Sequence, residues 1–229
     1  MAGSPSRYLE MPLDRVSVIK GTAGPSNRVV KFYAQDLPYA PKMQAFLELS
    51  GKPAILFLAW VDEVPNGLYI SNSPNALQPQ SPSTVTELKA ELDRQRQILQ
   101  RWRPDPALPH YGEVRRLLGK LPATSSKRQQ AVFRKLEELG KPAVSAMIAQ
   151  MDDRRPLAHQ EISLINHSPD AFEGTRFYGP DLVVDAMDAI LNQIVAHGGS
   201  IVNGGSERQR RSAVEAWRIY DTDQRCGPS

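Results

Sequence analysis

Two histidines and two acidic residues near one another in the chain could bind a metal ion or serve hydrolytic chemistry. His159 and Glu161 are two residues apart, and His167 and Asp170 follow in the same stretch. A metal site needs three or four such ligands to converge, yet the segment Leu157 to Gly179 shows no clear period that would align them. We therefore interpret the four as polar residues of a long loop, with a metal-dependent or hydrolytic enzyme as the alternative.

The same loop carries basic and aromatic side chains that are typical of a binding surface. The candidate binding residues are Arg154, Arg155, His159, His167, Arg176 and Tyr178. Loops held on a rigid scaffold often carry function, which favours this segment as the place where a partner binds. The competing interpretation is that Phe172, Phe177 and Tyr178 anchor the loop to the helical core, because exposed aromatic rings are unfavourable.

Charged residues form two groups near the C-terminus. Asp181, Asp185 and Asp188 have the i, i+4, i+7 spacing of one helix stripe, which we interpret as a solvated face. The run from Glu207 to Arg211 places three arginines at the start of a helix, where cations oppose the helix dipole. A solvated face paired with local acids such as Glu215 is the favoured interpretation, and binding of phosphate or nucleic acid is the alternative.

Other signals of catalysis are weak in this sequence. The pairs Gly198-Gly199 and Gly204-Gly205 lack the Gly-Lys-Ser/Thr of a phosphate loop, so they predict a flexible joint between helices. No Gly-x-Ser-x-Gly motif occurs. The single cysteine, Cys226, excludes an internal disulfide and a metal site built from several cysteines. We expect no catalytic residue, no bound metal and no cofactor.

Composition predicts a folded chain with an ordinary surface. The 229 residues are 41% hydrophobic and 23% charged, and 28 Lys and Arg against 25 Asp and Glu leave a net charge of +3. So small an excess disfavours nucleic acid as the partner. The longest apolar run, Pro53 to Val61, is shorter than the roughly 20 residues of a membrane span. The first residues lack a signal-peptide pattern, which predicts a cytoplasmic protein; a truncated start leaves an extracytoplasmic location open.

The N-terminal part has the alternation of short strands. After a loose lead-in over residues 1–12, a small β-rich domain is predicted over residues 13–80. Its strands are Leu13 to Ile19, Asn27 to Tyr33, Ala54 to Val61 and Leu68 to Ile70, with a hairpin signal at Asn66-Gly67. Ser71 to Ser83, with three prolines, predicts a linker. We expect Ile55, Leu56, Phe57 and Trp60 in the core.

From residue 83 the apolar period becomes helical, and a helical domain is predicted over residues 83–221 with a disordered tail at 222–229. Thr84 and Glu87 have capping-box spacing at its first helix. The predicted helices are residues 83–103, 111–118, 125–139, 142–151, 180–196 and 206–220. Expected core residues are Leu136, Leu139, Met147, Ile148, Leu182, Met187, Ile190, Leu191, Ile194, Val214 and Trp217. The predicted fold class is therefore α+β, a small antiparallel β-domain followed by an antiparallel helix array.

Two segments resemble known families. Ser125 to Asp153 resembles a HEAT-type (armadillo-like) repeat in its helix ending at Leu139-Gly140 and in the following Pro142-Ala-Val, and Ala186 to Tyr220 is similar to the closing unit of such arrays. Val16 to Gly21, Lys52 to Leu58 and Gly67 to Ile70 resemble the strands of netrin-like OB-barrel modules, although paired cysteines are missing. The resemblance implies a helical-repeat surface after a small barrel, and HEAT-like arrays share no active site. We therefore expect a non-catalytic protein-binding or scaffold module whose partner is another protein.

Overall fold

The computed structural model describes residues 8–13, 16–20, 29–33, 43–60, 68–70, 75–165, 174–195 and 202–227. It is an α+β protein, with seven α-helices and three small sheets in these residues. The chain divides between Arg94 and Gln95 into an N-terminal unit and a C-terminal unit. The division lies within a helix, twelve residues after the boundary predicted at residue 83.

The N-terminal unit contains a four-stranded sheet. Its strands are β1 (Tyr8–Pro12), β2 (Val29–Tyr33), β4 (Leu58–Trp60) and β5 (Leu68–Ile70), in the order β1-β2-β5-β4. The β2–β5 pair is parallel and the other pairs are antiparallel. β1 lies in the predicted lead-in, whereas Leu13 and residues 16–19 form no strand; residues 14 and 15 lie outside the described residues.

A second, two-stranded sheet pairs β3 (Ala54–Leu56) with β6 (Leu77–Pro79). β6 lies in the segment predicted as a linker, and that prediction is wrong because Leu77 is buried. The predicted strand from Ala54 to Val61 is interrupted at Phe57, which is 39% exposed and therefore not a core residue. Ile55 is buried as predicted, and the side chain of Trp60 lies outside the description. The core of this unit includes Val30, Phe46, Ile70, Ala76 and Leu77, with Phe46 supplied by helix α1 (Met43–Leu49).

Helix α2 (Pro82–Arg101) begins with proline at its first position, where a missing N–H costs nothing. The cap is Ser81, whose Oγ accepts the backbone N–H of Thr84 at 3.0 Å. The predicted capping box of Thr84 and Glu87 is therefore wrong, because the cap lies three residues before Thr84. Pro104 follows the helix end, as expected for a residue that cannot continue a helix.

After the end of α2, the C-terminal unit continues with three helices at the predicted places, α3 (Tyr111–Leu118), α4 (Ser126–Leu139) and α5 (Val144–Ile148). Gly140 ends α4 with a φ of 61°, a conformation that favours glycine. A 3₁₀ turn, Lys141–Ala143, contains Pro142 and leads into α5, which ends three residues before the predicted end at Met151. A second 3₁₀ turn, Leu121–Ala123, lies between α3 and α4.

The segment predicted as a loop contains an antiparallel pair of strands, β7 (Ile162–Ile165) and β8 (Thr175–Tyr178). Their register places Ile162 opposite Tyr178 and Ile165 opposite Thr175. Ile162 and Leu164 are buried in the core of this unit, whereas Ser163 between them is not. The period of two is therefore present in β7, whereas β8 has no buried residue and does not show it.

The last two helices are α6 (Val183–Val195) and α7 (Glu207–Cys226). α7 extends five residues into the segment predicted as a disordered tail. It also starts beside the N-terminal end of α6, since Arg210 contacts Asp185 and a Cβ on Gly204 would lie 3.1 Å from the carbonyl oxygen of Gly179. A helical hairpin would place this start beside the C-terminal end of α6, so the antiparallel pair expected here does not form.

One apolar core joins the helices of this unit to β7. Its fully buried members include Phe133, Leu136, Met147, Ile148, Leu164 and Ile190. Val214 and Trp217 add the buried face of α7, as predicted, while Leu139, Leu182 and Ile194 are only partly buried at its edge. Among the described residues, no helix has the length and hydropathy that a membrane crossing requires.

Candidate functional site

The outer edge of β7 is covered by side-chain amides. Gln130 of α4 donates from Nε2 to the carbonyl oxygen of Ser163 and accepts the Ser163 N–H at 3.0 Å. Gln129 makes the same reciprocal pair with His159, at 2.6 Å to the carbonyl and 3.1 Å from the amide. Gln193 of α6 donates to the carbonyl oxygen of Ile165. These amides replace the neighbouring strand that β7 lacks on this side, and they attach β7 to the core.

These hydrogen bonds determine which backbone groups of β8 face outward. Because the Ser163 amide and carbonyl point away from β8, the pair of Ser163 and Phe177 is a non-hydrogen-bonded pair of the ladder. The N–H and C=O groups of Phe177 and Thr175 therefore point away from β7. Within the described ranges, no hydrogen bond engages these four groups. With respect to the described residues, the outer edge of β8 is thus open at two alternate positions.

The open edge is short because the chain closes it at its end. Gly179, the next outward-pointing residue, donates its N–H to Oδ1 of Asn203. Asn203 lies in the segment that precedes α7. The open positions among the described residues are therefore Thr175 and Phe177, which are enough for one short segment of an incoming strand.

Two apolar side chains stand beside the open edge. Phe177 is 67% exposed and Ile165 is 55% exposed. They are diagonal neighbours on the outer face of the hairpin, since Phe177 is opposite Ser163 and Ile165 is opposite Thr175. Among the described residues of the C-terminal unit, they are the large hydrophobic side chains with the greatest exposure. An exposed strand edge next to exposed apolar residues favours pairing with another chain.

The predicted binding residues occupy different places. Arg154 forms an ion pair with Glu207 at 3.2 Å, and Arg155 pairs with Asp153. These contacts commit both arginines to holding the chain between α5 and β7. The hydrogen bonds to Asp153 raise the pKa of the Arg155 guanidinium, which keeps that pair charged.

The other predicted residues lie on or near the hairpin. His159 directs Nε2 to the carbonyl oxygen of Thr124 at 3.2 Å, and His167 lies outside the described residues. Arg176 is exposed on β8, and Tyr178 packs half-buried against the core. Phe177 therefore does not anchor the segment, whereas Tyr178 does. The structure places Arg176 and Tyr178 on the strand that carries the open edge.

A buried ion pair holds α7 against the first turn of α6. Arg210 donates from Nε to Oδ1 of Asp185 at 2.7 Å and from Nη2 to Oδ2 at 2.9 Å. Asp185 also accepts the backbone N–H groups of Asp181 and Leu182, at 3.0 and 3.1 Å. Its carboxylate is 1% exposed and fully satisfied, and it lies in the first helical turn, where a negative charge is favourable. The ion pair raises the pKa of Arg210.

A second buried carboxylate, Asp188, binds two other parts of the chain to α6. Its Oδ1 accepts Trp217 Nε1 at 2.7 Å, and its Oδ2 accepts the backbone N–H of Val202 at 2.7 Å. Burial raises the pKa of Asp188 above its ordinary value of 3.8, while the hydrogen bonds from Trp217, Val202 and Asn192 oppose that shift. The segment before α7 and the helix itself are thereby held at one point of α6.

The interpretation as a solvated face is wrong for Asp185 and Asp188, whereas Asp181 before the helix keeps a side chain that is 42% exposed. All residues from Val183 to Leu191 are buried, so α6 has no solvated side over that length. The same correction applies to Arg210 in the arginine run, while Arg208 and Arg211 are exposed as predicted. The sequence contains a signal for this burial, because α6 is apolar on all sides and acids inside such a helix require buried partners.

The arrangement offers binding groups and no set of converging catalytic groups among the described residues. No group of three or more His, Cys, Asp or Glu in those ranges is placed to hold a metal ion. Of the four residues of the metal hypothesis, His167 and Asp170 lie outside the described residues. Comparison of the chain with protein-family models, curated proteins and solved structures gave no match.

Proposed function

We propose that this protein is a non-catalytic protein-binding module that takes up an extended segment of its partner along the outer edge of β8. The observation that carries this proposal is the pair of open backbone positions at Thr175 and Phe177. Strand addition of this kind derives affinity from main-chain hydrogen bonds and specificity from alternate side chains. The partner is another protein, as the sequence also led us to expect.

The two edges of the hairpin differ in a way that supports this function. Gln130 and Gln193 close the edge of β7, and Gln129 holds His159 just before it. The edge of β8 has one closed position, at Gly179. A strand fixed on one side and open on the other is already ordered, so a partner segment does not have to order it on binding. Less conformational entropy is then lost, which favours affinity.

The side chains beside the edge define what the segment should carry. Phe177 and Ile165 present apolar surface on the outer face, and an apolar residue of the partner would cover it. Arg176 lies on the opposite face and forms no ion pair with a described residue. An extended segment that alternates apolar and acidic residues therefore complements this strand.

This proposal does not depend on the resemblance to helical repeats. The likeness of Ser125 to Asp153 to a HEAT-type repeat stays a prediction about α4 and α5. The likeness of the N-terminal part to a netrin-like barrel likewise stays a prediction. Metal-dependent catalysis and nucleic-acid binding remain the alternative functions.

The proposal is tested by replacing Thr175 with proline. Peptides are selected from a random library on the wild-type protein, and their affinities are measured by isothermal titration calorimetry. Thr175→Pro removes an outward N–H without removing a ladder hydrogen bond, and an edge strand tolerates proline. We expect about a tenfold loss of affinity, the equivalent of one hydrogen bond of about 1.4 kcal/mol.

Thr175→Val is the matched control, since it keeps the N–H and a similar shape. It should bind the selected peptides as the wild type does. If proline and valine variants bind equally well, the peptides do not add to the edge of β8, and the proposed function is wrong.

A further inference from the structure

A cavity of about 460 Å³ lies at the C-terminal end of α3 and along α4. This volume is within the range of small-molecule sites. Leu117, Ala131 and Val132 supply its apolar lining, and Lys120, Arg128 and Lys135 supply its charged lining. The hairpin edge takes no part in the cavity, so a ligand bound there is independent of the proposed function.

The spacing of α4 explains why one wall of the cavity is both apolar and basic. Arg128, Ala131, Val132 and Lys135 follow the i, i+3, i+4, i+7 spacing of one helix face. Val132 is buried and Ala131 is half-buried, whereas both cations are exposed. The floor is therefore apolar and the rim is positively charged.

The rim lacks compensating acids. No ion pair joins Lys120, Arg128 or Lys135 to an acidic residue in the part of the chain that the structure describes. Other arginines of this unit do have acidic partners, such as Arg154 with Glu207 and Arg218 with Asp152. Three like charges around a concave apolar surface concentrate positive potential there.

The backbone adds to this potential. The α4 helix begins after Ser125, whose side chain makes no capping hydrogen bond. The first backbone hydrogen bond of the helix is donated by Gln129 to the carbonyl oxygen of Ser125. The N–H groups of the first turn carry partial positive charge, and the cavity residues Thr124 and Arg128 flank that turn.

We propose that this cavity binds a small organic phosphate with an apolar body. The apolar body lies on Leu117 and Val132, and the phosphate lies between Arg128 and the two lysines. A phosphate is favoured over a single carboxylate because three cations match an anion of nearly two charges. The planar guanidinium of Arg128 suits two phosphate oxygens at once.

The test uses 1-naphthyl phosphate as the probe, titrated into the full chain by isothermal titration calorimetry. Inorganic phosphate and 1-naphthol provide the charge and the apolar body separately. We expect 1-naphthyl phosphate to bind at least about tenfold more tightly than either, and its binding to weaken as salt rises. The double variant Arg128→Gln, Lys135→Gln should lose about tenfold in affinity or more.

Lys127→Gln is the matched control. Lys127 is an exposed cation in the first turn of α4 but does not line the cavity. It should leave the affinity unchanged, and thermal melts should show that all variants fold. The proposal is overturned by no binding of 1-naphthyl phosphate, by equal binding of inorganic phosphate, or by a loss that is the same for Lys127→Gln and the double variant.

Discussion

Replacing Arg210 with methionine is expected to lower the free energy of unfolding of the C-terminal unit by about 3 to 5 kcal/mol. Methionine keeps much of the length but removes both hydrogen bonds to Asp185, which is 1% exposed. The remaining carboxylate is then a buried charge without its cation, and that is the costly way to break such a pair. Urea denaturation followed by tryptophan fluorescence measures the loss.

The neighbouring Arg211 provides the control. It is exposed on the same turn of α7, so Arg211→Met should change stability by less than about 0.5 kcal/mol. In a variant that already carries Asp185→Asn, Arg210→Met should lower the free energy of unfolding by distinctly less, because the asparagine amide carries no charge. An equal cost in both backgrounds would show that Arg210 stabilises the fold by packing alone.

Replacing Asp188 with alanine is expected to lower the free energy of unfolding by about 2 to 4 kcal/mol. The reason is that Trp217 Nε1 and the Val202 N–H lose their acceptor in a buried place, at about 1 to 3 kcal/mol each. Glu215→Ala is the control, since Glu215 is exposed on α7. The same urea experiment measures both variants.

The pH dependence of this loss has a definite sign. Burial raises the pKa of Asp188 in the folded protein above 3.8, so the folded state holds the proton more tightly than the unfolded state. The protonation of Asp188 therefore stabilises the fold fully at pH values below its pKa in the unfolded chain. This stabilisation is lost as pH rises through its pKa in the folded protein. The difference in free energy of unfolding between wild type and Asp188→Ala should therefore increase from about pH 7 towards about pH 4. A gap that narrows on acidification would contradict the raised pKa.

The helices α3 and α4 could be predicted from the sequence because proline, glycine and a clear helical period mark their limits. The strands β6, β7 and β8 were missed because three or four residues give too few positions to establish a period of two. The direction of α7 was missed for another reason. It depends on contacts of Arg210 and Gly204 with the beginning of α6, and local sequence does not encode them.

The candidate site was only partly accessible to sequence reasoning. The sequence singled out the segment Leu157 to Gly179, and Arg176 and Tyr178 of that segment lie on β8, the strand on which the proposal rests. Which edge is open could not be predicted, because the other edge is closed by glutamines from α4 that lie 33 residues away, as for Gln130 and Ser163. Asp185 and Asp188 were misread because their spacing alone fits a solvated stripe, whereas the apolar residues between them exclude one.

Residue-resolved amide hydrogen exchange of the free protein is the most direct test of an open edge on β8. We expect the Thr175 and Phe177 amides to exchange nearly as fast as those of an unfolded peptide. The amides of Arg176 and Tyr178 should be protected by β7, and that of Ser163 by Gln130. Strong protection of Thr175 and Phe177 in the free protein would mean that this edge is already paired, and the proposed binding mode would then be wrong.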